Sequence, residues 1–292
     1  MQHLKPHPAR SFDILRRRID RLFENKKSKS EPPSQLLLDF PFDLKPKRSI
    51  EYPSKSLSNF LNFISDAVPD GDIYLFGGLI RDIALFGKRG FSSDIDVVVE
   101  GEWKNCISYL ESLKASKNKF GGYRLEISGW PIDIWNAEET WAIKQGLVEY
   151  TGIASLTNTT VLNWDAILMN WRTRNFIYRD HYLEQLQKRV LDIVLFDNPD
   201  ELGMTVRIFR HLVSKDARKI TVNSVIFLAE ISAKYDYETI KKREISSYGN
   251  SMITLSVYRF FSELRGSNPN EIRSRMSIAS EIVEKELGLT HK

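Results

Sequence analysis

Cysteine is nearly absent from this chain: Cys106 is the single one in 292 residues. An internal disulfide and a cysteine-ligated zinc or iron–sulfur centre are thereby excluded, and the composition fits a reducing, cytoplasmic setting. Histidine is scarce too: the five are scattered, with no HExxH spacing, so a zincin-type hydrolase drops out. No apolar run approaches the roughly 18 residues of a membrane span, and no apolar core of a secretory signal is present. No repeat at solenoid spacing appears.

What is present is the balance of a globular protein, 42% hydrophobic and 27% charged, which argues against wholesale disorder. The net charge is +4, but it is unevenly placed. Residues 1–30 hold nine Lys/Arg against three acids, +6, which leaves −2 for the rest of the chain. A basic arm on a near-neutral body suits a polyanionic partner such as RNA. A solvated tail and an arginine-rich transit peptide are the competing readings, the latter opposed by Asp13, Asp20 and Glu24.

Residues 25–56 are polar and proline-punctuated and read as a linker, so 1–55 forms a basic extension. From residue 56 the text becomes periodic. Leu57, Phe60, Leu61, Ile64 and Val68 predict a helix, and 72–76 a strand ending in Gly77-Gly78. A helix over 79–86 and a β-branched strand over 94–99 follow. Trp103, Ile107, Leu110 and Leu113 form a helical stripe. Strands are predicted over 123–127 and 131–135 around Ser128-Gly129, then a helix over 161–171, a strand over 175–178, a helix over 182–189 and a strand over 190–195. Beyond Phe196 strand signals stop. Helices are predicted from Asn198-Pro199 through Val213, over 222–234, over 252–264, and from Asn268-Pro269 to Gly288. The architecture is therefore α+β: a mixed head, 56–195, followed by an all-helical part, 196–292. Five tryptophans between 130 and 171 read as core packing, with base stacking as the sharper alternative.

One constellation carries chemistry. Two glycines between a strand and a helix let backbone approach a phosphate, with the helix amides behind them. Asp94 and Asp96 are two apart on a strand and project from the same side, while Ile95, Val97 and Val99 face a core. Such paired carboxylates suit hard cations such as Mg²⁺ that bridge to substrate phosphates. Asp133, between Ile132 and Ile134, is the candidate third acid. Each piece alone is weak; the order and spacing together are specific.

GGLIRD (77–82) followed by SDIDVVV (93–99) resembles the head of bacterial CCA-adding tRNA nucleotidyltransferases and poly(A) polymerases, of the polymerase-β nucleotidyltransferase superfamily. IDIW (132–135) falls where that family has its third strand carboxylate. VLNWDAILMN (161–170) falls on its TINALAYN helix, and NPDELGMTVRIFRHL (198–212) on the start of its helical neck. The resemblance implies a polymerase-β-like head with a mixed sheet and flanking helices. It implies Asp94, Asp96 and Asp133 as catalytic residues holding two Mg²⁺ ions, with Mn²⁺ as the alternative. Gly77, Gly78, Arg81, Asp82, Ser93, Asn163, Arg207 and Arg210 are implied as nucleotide-binding. The partners implied are an NTP, ATP among them, and an RNA 3′ end, tRNA first, with no membrane.

The sequence also departs from the family. Its Arg-Arg-Asp falls on Thr157-Asn158-Thr159 and its base-reading arginine on Met204, so standard CCA addition is not implied. Transfer to a protein or small molecule, and an inactive RNA-binding homologue, are the alternatives.

Overall fold

The computed structural model describes residues 5–23, 55–91 and 93–272. The predicted linker falls outside these residues except for 55–56, which already belong to a helix, and most of the helix expected from Asn268 lies outside them too. That helix's start is seen: Asn268 Oδ1 accepts from Glu271 N at 3.0 Å while Glu271 Oε2 accepts from Asn268 N at 2.9 Å, a reciprocal capping box.

In chain order the elements are α1 (Phe12–Phe23), α2 (Lys55–Asp66), β1 (Asp72–Phe76), α3 (Gly78–Phe86), β2 (Ile95–Glu100), α4 (Trp103–Ser112), β3 (Ser116–Lys117), β4 (Tyr123–Ile127), β5 (Trp130–Asn136), α5 (Trp141–Lys144), β6 (Ile167–Asn170), β7 (Phe176–Tyr178), α6 (Tyr182–Gln187), β8 (Val190–Leu191), α7 (Glu201–Ser214), β9 (Lys219–Ile220), α8 (Val222–Lys234), α9 (Tyr237–Tyr248) and α10 (Leu255–Ser262). A seven-stranded mixed sheet runs β3-β4-β5-β2-β1-β6-β7, parallel only between β2 and β5. The head is thus an α+β fold whose sheet is followed by helices α7–α10.

The two faces of the sheet are covered differently. Ile73, Leu75, Val97, Val99, Ile132 and Ile134 point to the large core shared with α1–α4. The alternate residues Tyr74, Phe76, Val98 and Leu168 pack a smaller cluster under residues 137–156. Strand alternation therefore puts Asp96, two before Val98, on the less covered face.

Two sequence expectations are revised. The stretch 161–171 is not a helix but a short 3₁₀ turn (Asn163–Asp165) leading into β6. All four β6 residues are buried and the strand lies between β1 and β7, with Leu168 and Met169 paired on both sides, so sheet pairing overrides the helix-like spacing. Helix α9, polar on most of its surface, lacked the apolar stripe that would have announced it; Asp236 caps it by accepting from Thr239 N at 2.7 Å.

The other revision concerns the basic arm. Residues 12–23 form a helix docked on the head. Ser11 Oγ accepts from Ile14 N at its start, and Leu15, Ile19 and Leu22 recur at i, i+4, i+7 and are fully buried. Arg18 Nη1 donates to Ala84 O at 2.9 Å and Ile83 O at 3.3 Å, satisfying carbonyls at the end of α3. His7 N and Ala9 N donate to Leu85 O and Ala84 O, both at 2.8 Å. Leu15→Ala should lower the unfolding free energy by about 2–4 kcal/mol. Denaturant titration checks this; an unchanged midpoint would mean α1 contributes no core.

Candidate active site

The site begins at a turn that only glycine makes easily. Gly77 has φ +60°, and a Cβ there would lie 3.4 Å from Asp165 O. Gly78 opens α3, and a Cβ on it would stand 3.5 Å from both the Arg81 guanidinium and Ser93 Oγ. The Ser93 hydroxyl is buried and has no hydrogen-bond partner among the described residues. A buried hydroxyl beside the first turn of a helix is a donor set suited to an anionic oxygen.

Beside this turn, cross-strand register assembles the carboxylates. Asp96 pairs with Asp133 across the parallel β2–β5 ladder, and Asp133 pairs with Arg124 across the antiparallel β5–β4 ladder. Asp94, two residues before Asp96, completes the group. Arg124 donates from Nη2 to Asp94 Oδ2 at 2.6 Å and from Nη1 to Asp133 Oδ2 at 2.9 Å. The structure thus brings Asp94, Asp96 and Asp133 to one face and one end of the sheet. It does not gather them into a cage, since the Arg124 fork lies between Asp94 and Asp133; among the described residues no group of three or more His, Cys, Asp or Glu stands ready to hold a metal.

Electrostatics show what this grouping costs. Burial, then the negative charge of Asp133, with smaller contributions from Asp94 and Asp165, push the Asp96 carboxyl up to about 7, against the opposing pull of Arg207. Burial also raises Asp133, and Asp94 adds to this while Arg124 opposes it. Carboxylates crowded this way have an excess of oxygen donors and negative charge, which a hard divalent cation relieves. The donor set therefore fits the Mg²⁺ or Mn²⁺ that the sequence resemblance implies.

The remaining site residues divide. Arg207, exposed on α7, contributes positive potential at Asp96. Arg81 and Asp82 lie beneath the turn: Arg81 pairs with Asp165 and donates to Asp82 Oδ1 at 2.9 Å, which also accepts from Lys215 Nζ at 2.8 Å. Burial opposes both charges, but Asp165 and Asp82 hold Arg81 above its usual range, and Arg81 and Lys215 hold Asp82 below its own. These two form the floor of the site rather than an open surface. Asn163 is not brought to the carboxylates. It is buried, donating to Gln185 Oε1 at 2.7 Å and Val190 O at 3.0 Å and accepting from Asp192 N at 2.9 Å, so its amide is consumed in pinning the 3₁₀ turn. Arg210 likewise points away, to Glu244 Oε1 at 2.6 Å and over the Tyr248 ring. As for the tryptophans, Trp164 and Trp171 are buried and Trp130 stacks on Phe91 at 4.7 Å.

Sequence reading passed over Arg124, Asp165 and Arg179. Arg124 carried a usable signal: the tight turn at Ser128-Gly129 pairs Ile127 with Trp130, and counting back places Arg124 opposite Asp133. Arg179 donates to Asn158 Oδ1 at 2.6 Å, and its backbone bonds Ala166 at 3.1 Å, beside the Asp165–Gly77 contact. It brings a guanidinium to the stretch where the family's arginines are missing, a long-range arrangement no local pattern announces.

A scan against protein-family models and a search of curated proteins each find no match. Among solved structures, the fold is similar to a CCA-adding enzyme with CTP, at TM-score 0.48 and 19% identity, over 77% of this chain and 51% of that one. It is similar to the Thermotoga maritima CCA-adding enzyme complexed with tRNA, at 0.49 and 20%, over 81% and 52%. It is also similar to a tRNA nucleotidyltransferase complexed with a primer tRNA and an incoming ATP analog, at 0.46 and 17%, over 77% and 62%. The chain spans about half the length of the first two.

The Asp96 environment makes a pH prediction. Between about pH 4 and pH 7 the folded chain keeps a proton that the unfolded chain has released, so Asp96 makes stability fall as pH rises through that window and level off above it. Thermal melts in a chelator from pH 5 to 8 should show this contribution. Asp96→Asn should flatten it and melt higher than the parent at pH 8; a variant melting lower at pH 8 would contradict the electrostatic assignment.

Proposed function

We propose that this protein is a metal-dependent nucleotidyltransferase that moves a nucleoside monophosphate from an NTP to a hydroxyl, the favoured acceptor being an RNA 3′ end and tRNA first among RNAs. The observation that carries the reading is the register of Asp96 opposite Asp133 beside a Gly77-Gly78 turn backed by an unpartnered Ser93 hydroxyl. A carboxylate row next to an anion cradle is what phosphoryl transfer requires and what a structural sheet face would avoid.

Asp94, Asp96 and Asp133 would hold the divalent ions. When bound, these supply charge neutralisation of the triphosphate and acidify the attacking hydroxyl. The chain's own groups do the rest. The first turn of α3 and Ser93 cradle phosphate oxygens, and Arg207, whose charge is felt at Asp96, has a guanidinium that can take part of the triphosphate charge. Arg124 must release at least one carboxylate, and its fork is then free for a phosphate oxygen. In the transfer, the acceptor oxygen forms a bond to the α-phosphorus and the bond to the pyrophosphate oxygen breaks. The hydroxyl proton passes to Asp133, which is 21% exposed at the side chain and so open to an acceptor.

The base is read differently here from the family pattern. Met204 and Thr157 are buried, so neither presents a polar group to a nucleotide base. This favours an altered nucleotide preference, and it keeps transfer to a protein or small molecule as the second reading.

The test is incubation of purified protein with Mg²⁺, each of the four labelled NTPs in turn, and total RNA. Label should enter RNA, and Asp94→Ala/Asp96→Ala should reduce incorporation by about 100-fold or more. No transfer to any acceptor, or full activity in the double variant, would refute the proposal; label on protein or metabolite, identified by mass spectrometry, would establish the second reading.

A further inference from the structure

Helix α1 does two things with its basic residues. Arg16 is used internally, donating to Asp13 Oδ1 at 2.7 Å and Arg174 O at 3.1 Å, and Arg18 caps α3. Arg10, just before the helix, and Arg17 and Arg21 on it are different: all three are exposed and, among the described residues, none of their side chains makes a hydrogen bond or ion pair. Arg17 and Arg21, four residues apart, lie within about 40° of one another around the helix axis, opposite the buried Leu15, Ile19 and Leu22, and Arg10 stands two residues before the helix begins. The acids of the helix do not neutralise this stripe, because Asp13 is paired with Arg16 and Asp20 with Arg174. The stripe continues onto the 3₁₀ turn after α3, where Lys88 Nζ donates to Arg21 O at 3.2 Å and the next residue, Arg89, is exposed.

We infer that this arginine ridge binds the phosphate backbone of the RNA acceptor. The inference deepens the RNA-acceptor reading and rests on it. The buried face of α1 fixes Arg17 and Arg21 at set positions on the body, and the Ala9 N bond to Ala84 O ties down the segment that carries Arg10. Helix α3 joins it to the chemistry: Gly78, at the phosphate turn, and Phe86, beside α1 and the 3₁₀ turn, are separated by about 12 Å of helix. An RNA whose 3′ end lies at the carboxylates can therefore carry its upstream phosphates across the ridge. RNA fits better than an anionic membrane surface, because a membrane-binding helix must offer its apolar face to lipid and that face of α1 is inside the core.

Equilibrium binding of a fluorescein-labelled tRNA transcript to the full chain tests this over a range of salt concentrations. Arg10→Gln/Arg17→Gln/Arg21→Gln should weaken binding by about tenfold or more and make the log affinity–log salt slope shallower by about 2–3, the share of three phosphate contacts. Lys114→Gln/Lys117→Gln/Lys119→Gln removes the same charge from other exposed positions and should bind like the parent. The melting temperature of the ridge variant should match the parent's. Parent-like RNA binding by the ridge variant, equal loss in the lysine control, or a ridge that retains only phosphatidylserine vesicles would each overturn the inference. Failure of this test leaves label transfer to a short oligonucleotide unaffected, whereas absent transfer with ridge-dependent binding would remove the catalytic reading alone.

Discussion

The hydrogen-bonded register between β2 and β5 sets Asp96 beside Asp133, and the rest of the site answers to that placement. Parallel pairing leaves no freedom to separate the two side chains, since a shift of one residue would turn Asp96 into the core and Val97 out of it. The apolar residues on the opposite face thus hold two acids together against their repulsion. The surrounding cations are the response: Arg124 bridges from β4, and Arg207 reaches over from α7. A protein selected for stability alone would place Asn or Thr at one of these positions, so the three acids carry an electrostatic cost that a bound cation would relieve.

The helical half is bound to this arrangement from below. Asp82 is shared by Arg81 from its own helix and Lys215 from just beyond α7, while Arg81 also grips Asp165 from the turn before β6. All these groups are largely buried, so each charge depends on the others for compensation. Loss of one partner leaves an unpaired charge under the phosphate turn. His211 extends this layer. Its Nδ1 donates to Arg207 O at 2.8 Å, and burial followed by the charge of Arg81 keeps the ring neutral.

The local parts of this architecture were legible in the sequence and the cooperative parts were not. The strand–Gly-Gly–helix unit, the Asp-x-Asp spacing and the alternation around Asp133 are all visible within a few residues. The same holds for the capped start at Asn268, whereas the one expected at Asn198 falls two residues later, where Asp200 accepts from Gly203 N. The stretch 161–171 misled because a fully buried strand lacks alternation and, when short, cannot be told from a buried helix by periodicity. Asn163, expected at the nucleotide from its motif position, has a buried amide that completes the turn standing where the helix was expected. Arg124 was available through hairpin counting but requires trusting the turn. The Arg81–Asp82–Lys215–Asp165 layer joins residues up to 133 positions apart, which no window-based reading reaches.

Charge is where counting and placement diverge most. The sequence gives residues 1–30 a surplus of six positive charges, and that number alone describes a floating tail as well as a binding surface. Docking of α1 excludes the floating tail for its own part of the segment. Burial of Leu15, Ile19 and Leu22 fixes the helix, internal pairing withdraws Arg16 and Arg18 from solvent, and the residual charge is sorted onto one outward line. The hydrophobic face of the helix is thus what turns a compositional excess into a directional field. A tail with the same composition would present its charge in every direction, whereas Arg17 and Arg21, held at a spacing set by helix geometry, present theirs in one.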